Sequence, residues 1–426
     1  MQLIPSSVME LLDLLRARSK DTDFKALLGP KSSQDLPPKV RPRQKTDRKS
    51  ILDLWTQLKT HGQATDAHQN EICDIDTLDR ADQFERNIEN FIGTVKVPVG
   101  VVGPLRVNGL HAGGDYYVPL ATSEAALVVS YGRGAEVTAK AGGITTAILH
   151  EGVMRTPAFV FRSILESGQF VNWVAENSEA LKAAAETTTH HGKLVGIDPF
   201  IDSDTVFLIC RYSTGDAAGQ NMVTVATEAM CAYIDEQSPI PPLRQFVEAN
   251  FSGDKKASFL GLHRSRGRKV TASIEIPDDL ISRHLRTSPE EMLAYGRVAR
   301  LGAMLSGQVG AQAHYANGLA ALYIATGQDA ACVSESAVGF TRMEQRENGL
   351  FVSVTMPNIL VGSVGGGTGL PSQSAGLEMM GLRGKGKAAA LAEVTAALCL
   401  CGEISIIAAI AAGQFTRAHA KLARMR

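Results

Sequence analysis

The sequence predicts an α+β protein in which a small β-α-β-β-α-β unit interrupts a larger mixed α/β domain behind a helical N-terminal region. Three features point that way. Residues up to about Arg86 read as interrupted helices, with Pro37-Pro38, Pro42 and the charged KVRPRQKTDRKS marking a connection. From Glu89 the texture changes to Gly, Val and Pro, in ENFIGTVKVPVGVVGPLRVNG. Between Pro157 and Phe246 the periodicities alternate as a strand (AFVFRSIL), a helix (FVNWVAENSEALKAAAETT), two strands joined at Asp202-Ser203-Asp204, a helix beginning near Asn221 and a last short strand before Asn250. That order is the split arrangement of ferredoxin-like domains.

The expected boundaries follow in chain order: a helical region over 1–88, the large domain over 89–156 and 257–426, the small domain over 157–246, and a connecting loop over 247–256. In the large domain, LATSEAALVVSYGRGAEVTAKAG has helical spacing, with small residues that permit close packing. After Ala257 the sequence predicts a strand (KVTASIEIP), an Ala/Gly-rich helix around Gly302 to Thr326, a strand (LFVSVTMPNI), a Gly-rich turn and Ala-rich helices to the end. No repeat of solenoid period is present.

Composition excludes several function classes. The 426 residues are 44% hydrophobic and 20% charged, with 43 Lys plus Arg against 44 Asp plus Glu. Such a balance offers no excess positive field to hold nucleic acid or anionic lipid. The longest strongly apolar run, ISIIAAIAA, is too short to span a bilayer, and the first residues lack the pattern of a secretory or transit peptide. A cytoplasmic protein with no membrane segment is expected. Six scattered cysteines lack the spacing of a zinc site or a disulfide framework, so no metal is expected.

Chemistry-bearing stretches are individually modest. GDKKA places Asp254, Lys255 and Lys256 in a Gly/Ser-containing loop, where a carboxylate can fix a cation able to stabilise a developing oxyanion. SVGGGTGLPSQSAGL exposes backbone N–H groups that can wrap an anionic ligand, yet its spacing fails the G-x-G-x-x-G fingerprint, which argues against a standard Rossmann domain. Glu124 in ATSEAAL, Asp329 in ATGQDAA and His419 in TRAHAKL lie among small or apolar neighbours, where burial can shift a pKa.

Together these stretches resemble the hydroxymethylglutaryl-CoA reductase family, over about Glu89 to the C-terminus. ENFIGTVKVPVGVVGPLRVNG is similar to its E-N-x-I-G and P-x-G-x-A-G-P-L motifs, LATSEAAL to A-T-T-E-G, GDAAGQN to D-A-M-G-M-N, GDKKA to D-K-K, YIATGQDAA to G-Q-D-A and SVGGGTGL to G-G-G-T. The likeness is to a soluble, catalytic-domain-only member, closer to the eukaryotic-type class. It implies a four-electron, NAD(P)H-dependent reduction of the thioester to mevalonate and CoA through a hemithioacetal and an aldehyde.

By the same matching, Lys255 would hold the oxyanion, Asp329 would tune that lysine, Glu124 would act as general acid toward the aldehyde, and His419 would protonate the CoA thiolate. Glu89, Asn90, Arg133, Arg155, Glu248, Asp254, Lys256, Arg297 and Asn317 would form the substrate side, Arg155 with the terminal carboxylate and Arg133 with CoA phosphates. Thr189, His190, Asp216, Ala218, Gly219, Gln220 and Asn221 of the small domain, with Gly365, Gly366, Gly367 and Thr368 of the large one, would hold the dinucleotide. The resemblance also implies a homodimer or higher homo-oligomer with its active site at the interface.

Departures from the family pattern are specific. Thr189-His190-His191, with Lys193 nearby, replaces a Ser-Arg pair that holds the 2′-phosphate; histidine and lysine still favour NADPH over NADH. Ala218 and Gln220 replace two methionines, Arg297 a lysine and Ala418 a serine. Glu248 replaces a serine, and an added carboxylate would repel a dicarboxylic acyl group. Two alternatives stay open at this point: a related reductase of another acyl-CoA, and a non-catalytic CoA-binding paralogue.

Overall fold

The computed structural model describes residues 36–40, 45–189 and 191–414, together with positions 9, 10, 13, 14 and 17. The chain divides after Val95 into two compact units, which places Glu89 and Asn90 in the first. That unit is helical. Asp47 accepts the Ser50 N–H to start α1 (Arg48–His61), a Thr65/His68 capping box starts α2 (Asp66–Ile72), and Asp74 caps α3 (Ile75–Asp79). Ile51, Trp55, Cys73, Ala81 and Phe91 form its small core, where the Trp55 indole donates to the Ile92 carbonyl at 2.8 Å.

The second unit, from Lys96, is built on one continuous sheet. Strands β1 (Val99–Gly109) and β2 (Gly113–Ala121) form an antiparallel pair, α4 (Leu127–Lys140) follows, and β3 (Ile144–Arg155) then runs parallel to β1. Beyond β3 the small domain opens with β4 (Ala158–Val160), α5 (Ile164–Glu176) and α6 (Ser178–Glu186). It continues with the hairpin β5 (Lys193–Asp202) and β6 (Thr205–Ser213), then α7 (Gln220–Gln237) and β7 (Arg244–Phe246). Its strands lie in the order β7-β4-β6-β5, all antiparallel, the ferredoxin-like arrangement. The far end of β3, Val153 to Arg155, pairs with Tyr212 to Cys210 of β6, so one strand carries Arg155 from the large sheet into the small one.

After the connecting loop come α8 (Phe259–Arg264), β8 (Gly267–Pro277), α9 (Pro289–Leu305), the short β9 (Gly310–Ala311) and α10 (Tyr315–Thr326). The hairpin β10 (Gly339–Arg346) and β11 (Gly349–Ile359) and the helices α11 (Pro371–Met379) and α12 (Ala388–Ala411) complete the described part. Three expectations need correction. The single helix expected over FVNWVAENSEALKAAAETT is two, α5 and α6, parted at Asn177, which leaves helical geometry. The strand expected over AFVFRSIL ends at Val160, because the Ser163 side chain accepts the Glu166 N–H and starts α5. The helix expected around Gly302 to Thr326 is two helices, broken where Gly307 and Gly310 take positive φ.

Helix α12 is apolar on every side and runs through the core of this unit. It is long and apolar enough to cross a membrane, further than the run ISIIAAIAA suggested, yet 78% of its most apolar window is buried inside the protein. Gly134 lets α4 lie directly against it: a Cβ there would meet the Cys401 carbonyl oxygen at 2.1 Å. Its two buried carboxylates have partners. Glu393 accepts the His111 and Ala112 N–H groups, and Glu403 accepts those of Ala313 and His314 and the Thr341 hydroxyl.

Candidate active site

The loop carrying Lys255 is conformationally unusual, since Asn250, Gly253 and Lys255 itself all have positive φ. A non-glycine residue in that region persists where its surroundings hold it. Here the Lys255 ammonium lies 2.9 Å from Asp329 Oδ2, both side chains remaining over 40% exposed. The hydrogen bond to Asp329 raises the lysine pKa, against a smaller lowering by burial. Burial acts to raise the Asp329 carboxyl, but hydrogen bonds from Lys255 and the Ala331 N–H outweigh it and hold the group below the usual carboxylate range. Asp329 is itself pinned as the cap of the turn Ala330–Cys332.

Arg155, 5% exposed, sits beside this loop with its fork already engaged. One terminal nitrogen donates to Glu248 Oε2 at 3.0 Å and to Asp254 Oδ2 at 3.1 Å, and the other reaches the Gln220 carbonyl at 3.5 Å. Glu248 also accepts the Ser252 hydroxyl at 2.8 Å, and Lys256 donates to the Asp254 carbonyl at 3.0 Å. Thus the carboxylate expected to repel substrate faces the arginine expected to attract it.

Glu124 occupies a separate cluster, between β2 and α4. Both its oxygens accept from the Asn317 amide of α10, each at 3.1 Å, rather than from Lys255. The two residues line a cavity of about 390 Å³ together with Ser130, Arg133, His314 and Ile406. Arg133 donates to the Ser405 hydroxyl at 3.1 Å and to the Ser405 carbonyl; burial, then the Arg286 charge, lowers its pKa. Arg297 is exposed on α9, while Arg300, one turn on, lines the smaller neighbouring cavity with Tyr295 and Glu403.

The glycine-bearing segments converge. A Cβ on Gly327 would meet the Gly367 carbonyl at 2.2 Å, and one on Gly362 the Ala218 nitrogen at 2.6 Å. Backbone contact at those points holds G-Q-D-A, G-G-G-T and D-A-A-G-Q-N side by side. The Gln328 amide locks the arrangement by exchanging hydrogen bonds with both backbone groups of Gly362, at 2.8 and 3.0 Å. Asp216 accepts the N–H groups of Gly386 and Ala388, tying the turn to the start of α12. Gly219 takes φ +77° just before α7, Asn221 is exposed in its first turn, and Thr368 donates to the Gly365 carbonyl within the turn that includes Gly366.

Gln220 turns inward from that helix start. Its amide nitrogen lies 2.7 Å from Cys332 Sγ and 3.5 Å from Asp329 Oδ2. Thr189 accepts the His191 and Gly192 N–H groups and donates to Met222 sulfur. His190 and His419 lie outside the described residues. No group of three or more His, Cys, Asp or Glu able to hold a metal ion occurs among the described residues.

Sequence reasoning missed Arg266 and Glu335, a buried pair beneath the loop, and His314 and Arg300 at the cavities. No motif marks the arginine in SRGRKV or the glutamate in CVSESA, because the packing that buries them brings together segments distant in the chain.

Comparison with known proteins bears on this geometry. The profile of the family described as hydroxymethylglutaryl-coenzyme A reductase matches residues 52–424. A 3-hydroxy-3-methylglutaryl-coenzyme A reductase of Methanothermobacter thermautotrophicus is 42% identical over 350 residues, covering 82% of this chain and 88% of the relative. That of Aeropyrum pernix is 41% identical over 353 residues, covering 82% and 84%, and reductase 2 of Dictyostelium discoideum is 36% identical over 359 residues, covering 82% and 67%. Among solved structures, the class II reductase of Streptococcus pneumoniae bound to NADPH in open conformations shares the fold, with a TM-score of 0.61 at 19% identity over 84% of this chain and 96% of that one. On the profile match and these identities, the chain belongs to the hydroxymethylglutaryl-coenzyme A reductase family.

Proposed function

We propose that the chain reduces 3-hydroxy-3-methylglutaryl-CoA to mevalonate and CoA, consuming two nicotinamide dinucleotides and two protons, with NADPH preferred to NADH. The observation that carries this reading is the Lys255–Asp329 pair at the rim of the site. An ammonium fixed by a carboxylate can polarise the thioester carbonyl and hold the oxyanion of the hemithioacetal. The dinucleotide supplies hydride at each stage, and the convergent glycine segments offer the backbone N–H groups that suit its phosphates.

Glu124, oriented by Asn317, would give a proton at the aldehyde stage, and His419 would protonate the departing thiolate. Lys256 and Asp254 would complete the polar floor, Arg155 would meet the acyl carboxylate, and Arg133 with His314 would line the entry of CoA. Glu89 and Asn90 belong to the substrate side by motif. Because Glu124 bonds to Asn317 rather than to Lys255, a homodimer in which a second copy completes the site is in keeping with this arrangement. We also place the protein in the cytoplasm, in line with the burial of α12 inside the fold.

Turnover of purified protein, followed by nicotinamide absorbance, is the test. Two nicotinamides oxidised per CoA released, with mevalonate as product, is the expected result; no oxidation with either dinucleotide would remove the reading. One observation favours a second reading, a reductase of another acyl-CoA: the Arg155 fork is shared by Glu248 and Asp254. Faster turnover of a thioester lacking the terminal carboxylate would select it.

A further inference from the structure

Beneath the lysine–aspartate pair lies a guanidinium that neither the motifs nor the proposed chemistry uses. Arg266 precedes β8, and its side chain is 1% exposed. One terminal nitrogen meets both oxygens of Glu335 at 2.7 Å, and the other lies 2.9 Å from Asp254 Oδ1 and 3.4 Å from the Gln220 side-chain oxygen. Its backbone N–H donates to Asn358, whose amide donates in turn to the Glu335 carbonyl.

The two carboxylates belong to the two segments that carry the reactive pair. Asp254 immediately precedes Lys255 in the loop of positive φ. Glu335 lies in the short helix Val333–Ser336, which continues the turn capped by Asp329. One rigid fork therefore grips the lysine loop with one hand and the aspartate turn with the other. Burying Arg266 and Glu335 beside the partly exposed Asp254 contributes little stability compared with apolar packing of the same volume, so stability alone is a weak reason for the arrangement. Glu335 bears this out: burial pushes its carboxyl up even though Arg266 opposes the shift.

We propose that Arg266, by bridging Asp254 and Glu335, is a positioning residue that sets the Lys255 ammonium against Asp329, with Gln220 as a lateral brace rather than a dinucleotide contact. The proposal rests on the reductase reading for its kinetic readout only. Its other readout, titration of Lys255 in the free protein, needs no substrate. Asp329, Cys332 and Asp254 are the titratable groups that face the lysine, and Glu335, Asp254 and Cys332 those that face Arg266.

The test uses Glu335→Gln and Arg266→Lys in the full chain, each checked for wild-type near-UV circular dichroism. Glutamine keeps the shape of Glu335 without its charge, and lysine keeps the charge of Arg266 without the fork. The pH dependence of reductive methylation at Lys255, read by mass spectrometry, should move to lower pH, since the lysine loses alignment with Asp329, whose hydrogen bond raises its pKa. The same variants should lose about tenfold in kcat while KM for the dinucleotide stays within about twofold, because the loss is in the reacting geometry. Should neither variant fold, Gln220→Met at the half-buried start of α7 carries the question, with a smaller shift of the same sign and an unchanged dinucleotide KM. Folded variants with wild-type lysine titration and wild-type kcat would overturn the proposal. A shifted titration in a protein that never turns over hydroxymethylglutaryl-CoA would sink the reductase reading and leave this one standing.

Discussion

The Lys255 ammonium and the Asp329 carboxylate stand 2.9 Å apart at an open rim, each shifting the other toward its charged form. Lys255→Ala should cost at least about 10²–10³-fold in kcat, the range seen when one oxyanion donor is removed, with the fold intact by circular dichroism. Loss of CoA binding in equal measure would assign the lysine to binding instead.

The pH dependence has a definite sign. The lysine pKa is raised in the folded protein by its bond to Asp329. The pairing therefore stabilises the protein throughout the range below an ordinary lysine pKa and fades only as pH rises through the raised value. On the aspartate side, where the folded value is lowered, stabilisation is present above the ordinary carboxylate value and fades as pH falls through the lowered one. Asp329→Asn should thus shift the alkaline limb of kcat to lower pH. An unmoved limb would show that a group other than Lys255 sets it.

Glu124 is held by Asn317 rather than by the lysine, which makes its relation to Lys255 open to a mixing experiment. Glu124→Gln and Lys255→Ala should each be inactive alone. If two copies complete one site, exchanging subunits between them should restore up to about a quarter of wild-type activity, because half of the dimers then hold one intact site of two. No restoration from verified mixed dimers would place both residues in a single chain's site.

Stability should depend on Glu403 more than its place in an apolar helix suggests. The side chain is 1% exposed and serves the Ala313 and His314 N–H groups at 2.9 and 2.8 Å and the Thr341 hydroxyl at 2.6 Å. Glu403→Ala would strand those donors, costing about 3 kcal/mol or more, which for a chain of this size lowers Tm by roughly 3–4 °C or more. A scanning-calorimetry shift below about 2 °C would mean that water replaces the carboxylate.

How much of this was legible in the sequence depends on whether the signal is local. The order of the small domain was readable because β-branched runs and the Asp202-Ser203-Asp204 turn are local features, and so was the approach of Lys255 to Asp329 once several motifs were taken together. The break between α9 and α10 was not, since small residues suit a helix as well as the glycine turn that interrupts it. Gln220 read as a ligand contact by motif position, whereas its side chain turns toward Cys332 and Asp329. Arg266 and Glu335 were invisible because burial of a charge is decided by partners far apart in the chain.

Glu248 offers the sharpest test of substrate choice. Read from the sequence, its carboxylate repels a dicarboxylic acyl group; in the structure it is 3.0 Å from Arg155, which it partly neutralises. Both effects act in one direction on an incoming carboxylate, which must displace Glu248 from an arginine that Asp254 also holds. Glu248→Ser removes the competitor and leaves Asp254 in place, so Arg155 keeps one partner and avoids standing buried and unpaired. The variant should bind hydroxymethylglutaryl-CoA more tightly, lowering KM about tenfold, or about 1.4 kcal/mol, with little change for an acyl-CoA that lacks the terminal carboxylate. Equal gains for both thioesters would mean that the serine merely opens space. A loss confined to the dicarboxylic substrate would mean that Glu248 holds Arg155 in the position the substrate needs.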